Sequence, residues 1–123
     1  MILVDTSIWI DHLRRADAKL SEYLLQAQVL THPFVIGELA LGNLRQRQTI
    51  LQALDDLPRA IIASDAEVLR FIEDEKLFGA GIGYVDAHLL TSTRIMPEVT
   101  LWTGDKRLRA AAERLSLAGN GGE

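Results

Sequence analysis

The spacing of apolar residues along the chain switches repeatedly between two patterns. Ile2, Leu3 and Val4 form an unbroken apolar run, which suits a central strand of a parallel sheet covered on both faces. Trp9, Ile10 and Leu13 then fall at helical spacing, and Lys19 to Gln28 continues with Leu20, Tyr23, Leu24 and Ala27 on one stripe, predicting two short helices. Val29 to His32 reads as a second strand, stopped by Pro33, whose fixed φ suits the first turn of a helix. Pro33 to Leu41, PFVIGELAL, is apolar except for Glu38. Asn43 to Leu57 sets Leu44, Ile50, Leu51 and Leu54 among Arg45, Arg47 and several glutamines, the pattern of a surface helix ending at Pro58.

Ala60 to Ala63 predicts a further short strand. Ser64 followed by Glu67 is a capping-box signature for a helix running through Phe78. Gly79 to Gly83, GAGIG, follows a helix rather than a strand, so it is read as a flexible connector and not as a dinucleotide fingerprint. It delivers Asp86 to the first turn of the next helix, among Ile82, Leu89 and Leu90. Val99 to Trp102 predicts another strand, and Thr103-Gly104-Asp105 turns it into a last helix bearing Leu108, Ala111, Ala112 and Leu115. Ser116 to Ala118 can add an edge strand. Strands alternating with helices imply an α/β fold, three-layer α/β/α with a central parallel sheet. Residues 1–118 are expected to form one domain and 119–123 a disordered tail.

Composition narrows the chemistry. A chain of 123 residues can bury one core without staples, and the absence of cysteine removes disulfides, thiolate zinc sites and cysteine nucleophiles together. The N-terminus lacks a basic leader and charges interrupt every apolar run, so a soluble cytoplasmic protein with no membrane segment is expected. The net charge of −4, from 17 acids against 13 bases, argues against strong non-specific binding to nucleic acid. That balance changes if four carboxylates are bound to metal, because the remaining surface is then near neutral.

Four acids stand out by position: Asp5 and Asp105 at strand ends, Asp86 at a helix start, and Glu38 alone in an apolar helix. Taken singly, Asp5, Asp86 and Asp105 also read as helix N-terminal residues that cap or favour the dipole. Glu38 is different. On so apolar a face its carboxylate is expected to be short of solvent, and a buried charge needs a cation or donors. Four carboxylates brought together without a cation would repel and take up protons, so their convergence implies Mg²⁺ or Mn²⁺, hard ions suited to oxygen ligands. Arg14 and Arg15 on the first helix and Lys106, Arg107 and Arg109 on the last are candidates to hold phosphate, although for Lys106 and Arg107 a solvated basic face is at least as good an explanation. His12, His32 and His88 lack zinc-ligand spacing and are assigned surface or packing roles, and Trp9 and Trp102 core or interface roles.

The segments LVDTSIWID around Asp5, GELALG around Glu38, IGYVDAHLL around Asp86 and LWTGDKRL around Asp105 together resemble the PIN domains, in particular VapC-type toxins. The resemblance covers essentially the whole chain, with the four motifs in the family's order. It implies a metal-dependent endoribonuclease of a type II toxin–antitoxin pair, held inactive by an antitoxin protein that reaches into the acidic pocket, and a homodimer. Carried over by position, Asp5, Glu38, Asp86 and Asp105 are the expected metal-site and catalytic acids, with Thr6 and Thr103 as hydroxyl supports. The fourth position varies more in the family, which leaves Asp105 on the first ion, on a water or on a second ion.

Two other functions compete. A receiver-like signalling domain also places acids at strand ends to bind Mg²⁺, but it wants paired acids after the first strand, where Asp5 stands alone. A non-catalytic PIN-like interaction module would not need all four acids.

Overall fold

The computed structural model describes residues 1–119. In chain order the elements are β1 (Ile2–Val4), α1 (Thr6–Arg14), α2 (Ala18–Leu25), β2 (Val29–Leu30), α3 (Pro33–Ala40), α4 (Arg47–Asp55), α5 (Asp65–Asp74), α6 (Tyr84–Ile95), β3 (Thr100–Trp102) and α7 (Lys106–Arg114). The sheet is parallel in the order β2-β1-β3, pairing Ile2 with Val29 and with Thr100, and Val4 with Trp102. The apolar run Ile2–Val4 is therefore the middle strand. Leu3 and Val4 are wholly buried, as the lack of any polar position demanded. Helices cover the sheet to give the expected three-layer α/β/α fold, with Leu20, Val35, Leu89, Leu90, Leu101 and Leu108 completing the core. Truncating one such leucine to alanine costs about 3 kcal/mol.

Local chemistry sets the ends of the elements. Ser64 and Glu67 exchange side-chain and backbone bonds in the capping box that starts α5. The helix stops at Asp74 rather than Phe78, since Lys76 turns into the left-handed region at φ 53°. Likewise Ala27, at φ 55°, ends α2 before Gln28. The helix expected from Asn43 begins only at Arg47, because Gln46 is left-handed at φ 51° and 43–46 form a loop.

Ala60 to Ala63 is not a strand. Only Arg59 bridges to the sheet, opposite Thr31, and Ile61 and Ile62 are each 52% exposed. Since Pro33 has no N–H and opens α3, the neighbouring strand ends too early to template a longer pair. At the other edge the Ser116–Ala118 segment contributes one bridge, Ala118 to Leu101. Gly119, expected as the start of the tail, donates its N–H to Leu101 O at 2.8 Å. The rest of that tail, 120–123, lies outside the described residues.

Candidate active site

Asp5 follows the central strand directly, its own N–H bonded to Trp102 O at 3.0 Å. It occupies the N-cap position of α1, yet its side chain makes no capping bond. Instead Oδ2 accepts from Ser7 Oγ at 2.8 Å and from Thr103 Oγ1 at 2.7 Å. Each hydroxyl has one proton, and both protons are committed to Asp5. Their lone pairs are then met by backbone amides, Gly104 N to Ser7 Oγ at 3.0 Å and Asp105 N to Thr103 Oγ1 at 3.0 Å. Two backbone N–H groups thus act through two hydroxyls on one carboxylate oxygen. The residue is only 6% exposed, and the described residues supply no hydrogen bond to its other oxygen.

Glu38 reaches the same corner from α3, where its Oε1 accepts from Thr6 Oγ1 at 2.7 Å. The expectation that it is cut off from solvent is corrected, because Glu38 is exposed along with its helix neighbours Phe34 and Leu41. The apolar face of α3 is partly uncovered in the single chain. Asp86 is half-buried in the first turn of α6 and accepts from Gly83 N–H at 3.0 Å. Burial pushes its carboxyl above the usual carboxylate range; Asp5, Asp105 and Glu38 push further, against the pull of the Gly83 bond. Asp5, Asp105 and Glu38 therefore each lie within electrostatic reach of Asp86. Asp105 is exposed and caps α7, its Oδ1 accepting from Arg107 N at 2.9 Å and Leu108 N at 3.0 Å.

The donor set suits a hard divalent cation, being all carboxylate oxygen under mutual repulsion that a cation would relieve. Among the described residues, however, no three such side chains are gathered tightly enough to hold an ion as they stand.

Sequence reasoning missed Ser7. Its signal was a hydroxyl two residues after the acid, mirrored by Thr103 two residues before Asp105. Also missed was Arg45. With Arg14, Ile10, Leu13 and Leu39 it lines a groove of about 860 Å³ that reaches Glu38, alone of the four acids. Arg14, Arg15, Lys106, Arg107 and Arg109 are all exposed and, among the described residues, form no ion pair. Arg107 lies beside Gly81, with Cδ and Nη1 each 2.8 Å from where a Cβ on that glycine would stand.

The histidines keep packing roles. His88 bonds Asp65 at 3.2 Å rather than Asp86, and its ring stacks edge-on with Phe34 and Tyr84. His32 caps α3, its Nδ1 accepting from Phe34 N at 3.0 Å, while His12 packs against Trp9. Trp9 and Trp102 are core residues.

A three-layer α/β/α domain with four acids around the end of its central strand defines a class, and comparison agrees: residues 2–114 match the PIN domain family, to which the chain belongs. It is also 48% identical over 118 residues, 96% of this chain and 95% of the relative, to Ribonuclease VapC32 of Mycobacterium tuberculosis, in strains CDC 1551 / Oshkosh and ATCC 25618 / H37Rv. The resemblance to VapC-type PIN proteins read from the four motifs is borne out, and the receiver-like reading is not favoured.

Proposed function

We propose that this chain is the toxin of a type II toxin–antitoxin pair, a Mg²⁺- or Mn²⁺-dependent endoribonuclease whose single nuclease domain spans residues 1–118. The observation that carries the reading is the electrostatic coupling of Asp86 to Asp5, Asp105 and Glu38, four acids from four separate elements. The ribonuclease name of the VapC32 relatives supports the substrate class.

Asp5, Glu38 and Asp86 are the residues that would hold the cation, and Asp105 would hold it or an associated water. When bound, a divalent cation would supply acidification of a water and offset of charge on the phosphate. The chain's own task is alignment. Ser7 and Thr103 fix Asp5 through Oδ2, and Thr6 orients Glu38 through Oε1. Arg14, Arg15, Lys106, Arg107 and Arg109 take the RNA backbone.

An antitoxin protein and a second copy of the chain are the proposed partners. Leu41 on α3 is 90% exposed beside Glu38, and covering it would complete the half-solvated face. The proposed setting is the cytoplasm, on the likeness to VapC-type proteins; no described helix is long and apolar enough to cross a membrane.

The test is incubation of purified protein with pooled cellular RNA and Mn²⁺ or Mg²⁺, beside an Asp5→Asn control. Metal-dependent cleavage absent from the control is expected. Cleavage that persists in chelator, or in Asp5→Asn, would defeat the assignment.

A further inference from the structure

We infer that Gly81 is a positioning residue for RNA: its bare α-carbon seats the Arg107 side chain beside the acids, where the guanidinium meets a backbone phosphate. This rests on the nuclease reading above. A Cβ on residue 81 would stand 2.8 Å from both Cδ and Nη1 of Arg107 and 3.3 Å from Cζ, far inside the 3.4–4 Å of ordinary contact. Arg107 can occupy this place because residue 81 has no side chain. The other end of Arg107 is fixed as well, since its N–H donates to Asp105 Oδ1 at 2.9 Å.

Both anchors border the acid cluster. The loop's Gly83 N–H holds Asp86, and Asp105 is one of the carboxylates acting on Asp86. Among the described residues Arg107 makes no ion pair, so its guanidinium donors remain available to an incoming phosphate. Holding a long side chain ready lowers the ordering cost when the ligand arrives. Lys106 and Arg109 lack any such seat among the described contacts.

The same loop contains its own control. Gly79 and Gly81 share a left-handed conformation, φ 75° and 78°, but nothing lies within 4 Å of a Cβ at 79. Alanine at either position therefore brings the same backbone strain, and only Gly81→Ala also evicts Arg107. The far end of Arg107 is flexible, so eviction alone should leave the fold intact.

The experiment measures binding of a labelled single-stranded RNA oligonucleotide to the full chain, carrying Asp5→Asn to prevent cleavage, over a series of KCl concentrations. Arg107→Ala is expected to weaken binding about tenfold and to reduce the salt slope by about one. Gly81→Ala should match that loss, Gly79→Ala should bind like the parent, and Gly81→Ala with Arg107→Ala should be no weaker than Arg107→Ala alone. Equal binding by the Gly79 and Gly81 variants would overturn the inference. So would a Gly81→Ala loss that persists undiminished without Arg107, since it would mark a structural role only. If Gly81→Ala does not fold, Gly81→Asn against Gly79→Asn repeats the comparison, because Asn tolerates positive φ and brings the same Cβ. RNA cleavage by wild type with Arg107→Ala binding like the parent overturns this inference alone. No RNA cleavage by wild type and no RNA binding by the parent overturns the nuclease reading with it.

Discussion

From β1 the chain enters α1 through Asp5, and from β3 it enters α7 through Asp105; both acids stand at the N-cap of the helix that follows. Asp105 uses one oxygen to receive two helix amides and remains in solvent. The Asp5 side chain receives no helix amide and is held instead by the hydroxyls of Ser7 and Thr103. The same residue type at the same kind of junction thus serves two ends, and the hydroxyls within reach decide which. Two O–H donors backed by amides outcompete the weaker pull of the helix start. A cap is a competition for donors, and an acid that loses the cap without losing its burial is held for something else.

That contrast is broken most severely by truncation. Asp5→Ala is expected to lower RNA cleavage at least about 1,000-fold, equivalent to about 4 kcal/mol of transition-state stabilisation. Asp105→Ala should lower cleavage much less, and instead lose about 1 kcal/mol of folding stability with its cap. Cleavage rates and urea unfolding of the two variants check this. The reverse ranking, with Asp105 vital for cleavage and Asp5 for stability, would exchange the roles of the two junctions.

The third strand-to-helix junction sharpens the comparison through pH. His32 links β2 to α3 and caps through a ring nitrogen inside the protein. Burial lowers its pKa from 6.5 to about 4, with help from the nearby His88 and Arg59 charges. Because the folded pKa lies below the unfolded one, the unfolded chain binds the extra proton. The stability is fully present above pH 6.5 and is lost as pH falls toward 4, by an amount on the order of 3 kcal/mol. Asp86 works in the opposite direction, since its raised carboxyl favours the folded state as pH falls. Denaturant unfolding across pH 4 to 7 should therefore decline toward acid in wild type. It should flatten in His32→Asn, which can still cap; an unchanged slope in that variant would remove His32 as the cause.

Much of this was legible in the residues because each signal was local. An apolar triplet with no polar member had to lie mid-sheet, and Ser64 with Glu67 had to start a helix, as both do. The PIN resemblance rested on four short motifs and their order along the chain, which need no knowledge of packing. What failed depended on neighbours. Glu38 looked sheltered because Phe34, Val35 and Leu41 surround it in sequence, but only Val35 is covered, and periodicity does not report what lies across a helix face. Ala60 to Ala63 has strand composition without a partner long enough to pair with. Ser7 escaped notice since a serine in a first helical turn usually serves the backbone, and its bond to Asp5 depends on Gly104, 97 residues away.

The central claim, that Asp5 is held as a charged ligand and not as a structural cap, is tested most directly by thermal unfolding of wild type and Asp5→Asn in chelator and in Mn²⁺. Neutralising one of several mutually repelling carboxylates relieves the folded state, so in chelator Asp5→Asn should melt at or above the wild-type temperature. Wild type should then gain with Mn²⁺, by about 2.7 kcal/mol at one hundred times the dissociation constant, and Asp5→Asn should gain clearly less. An Asp5→Asn protein that melts well below wild type in chelator, with Mn²⁺ raising both equally, would return Asp5 to a purely structural role.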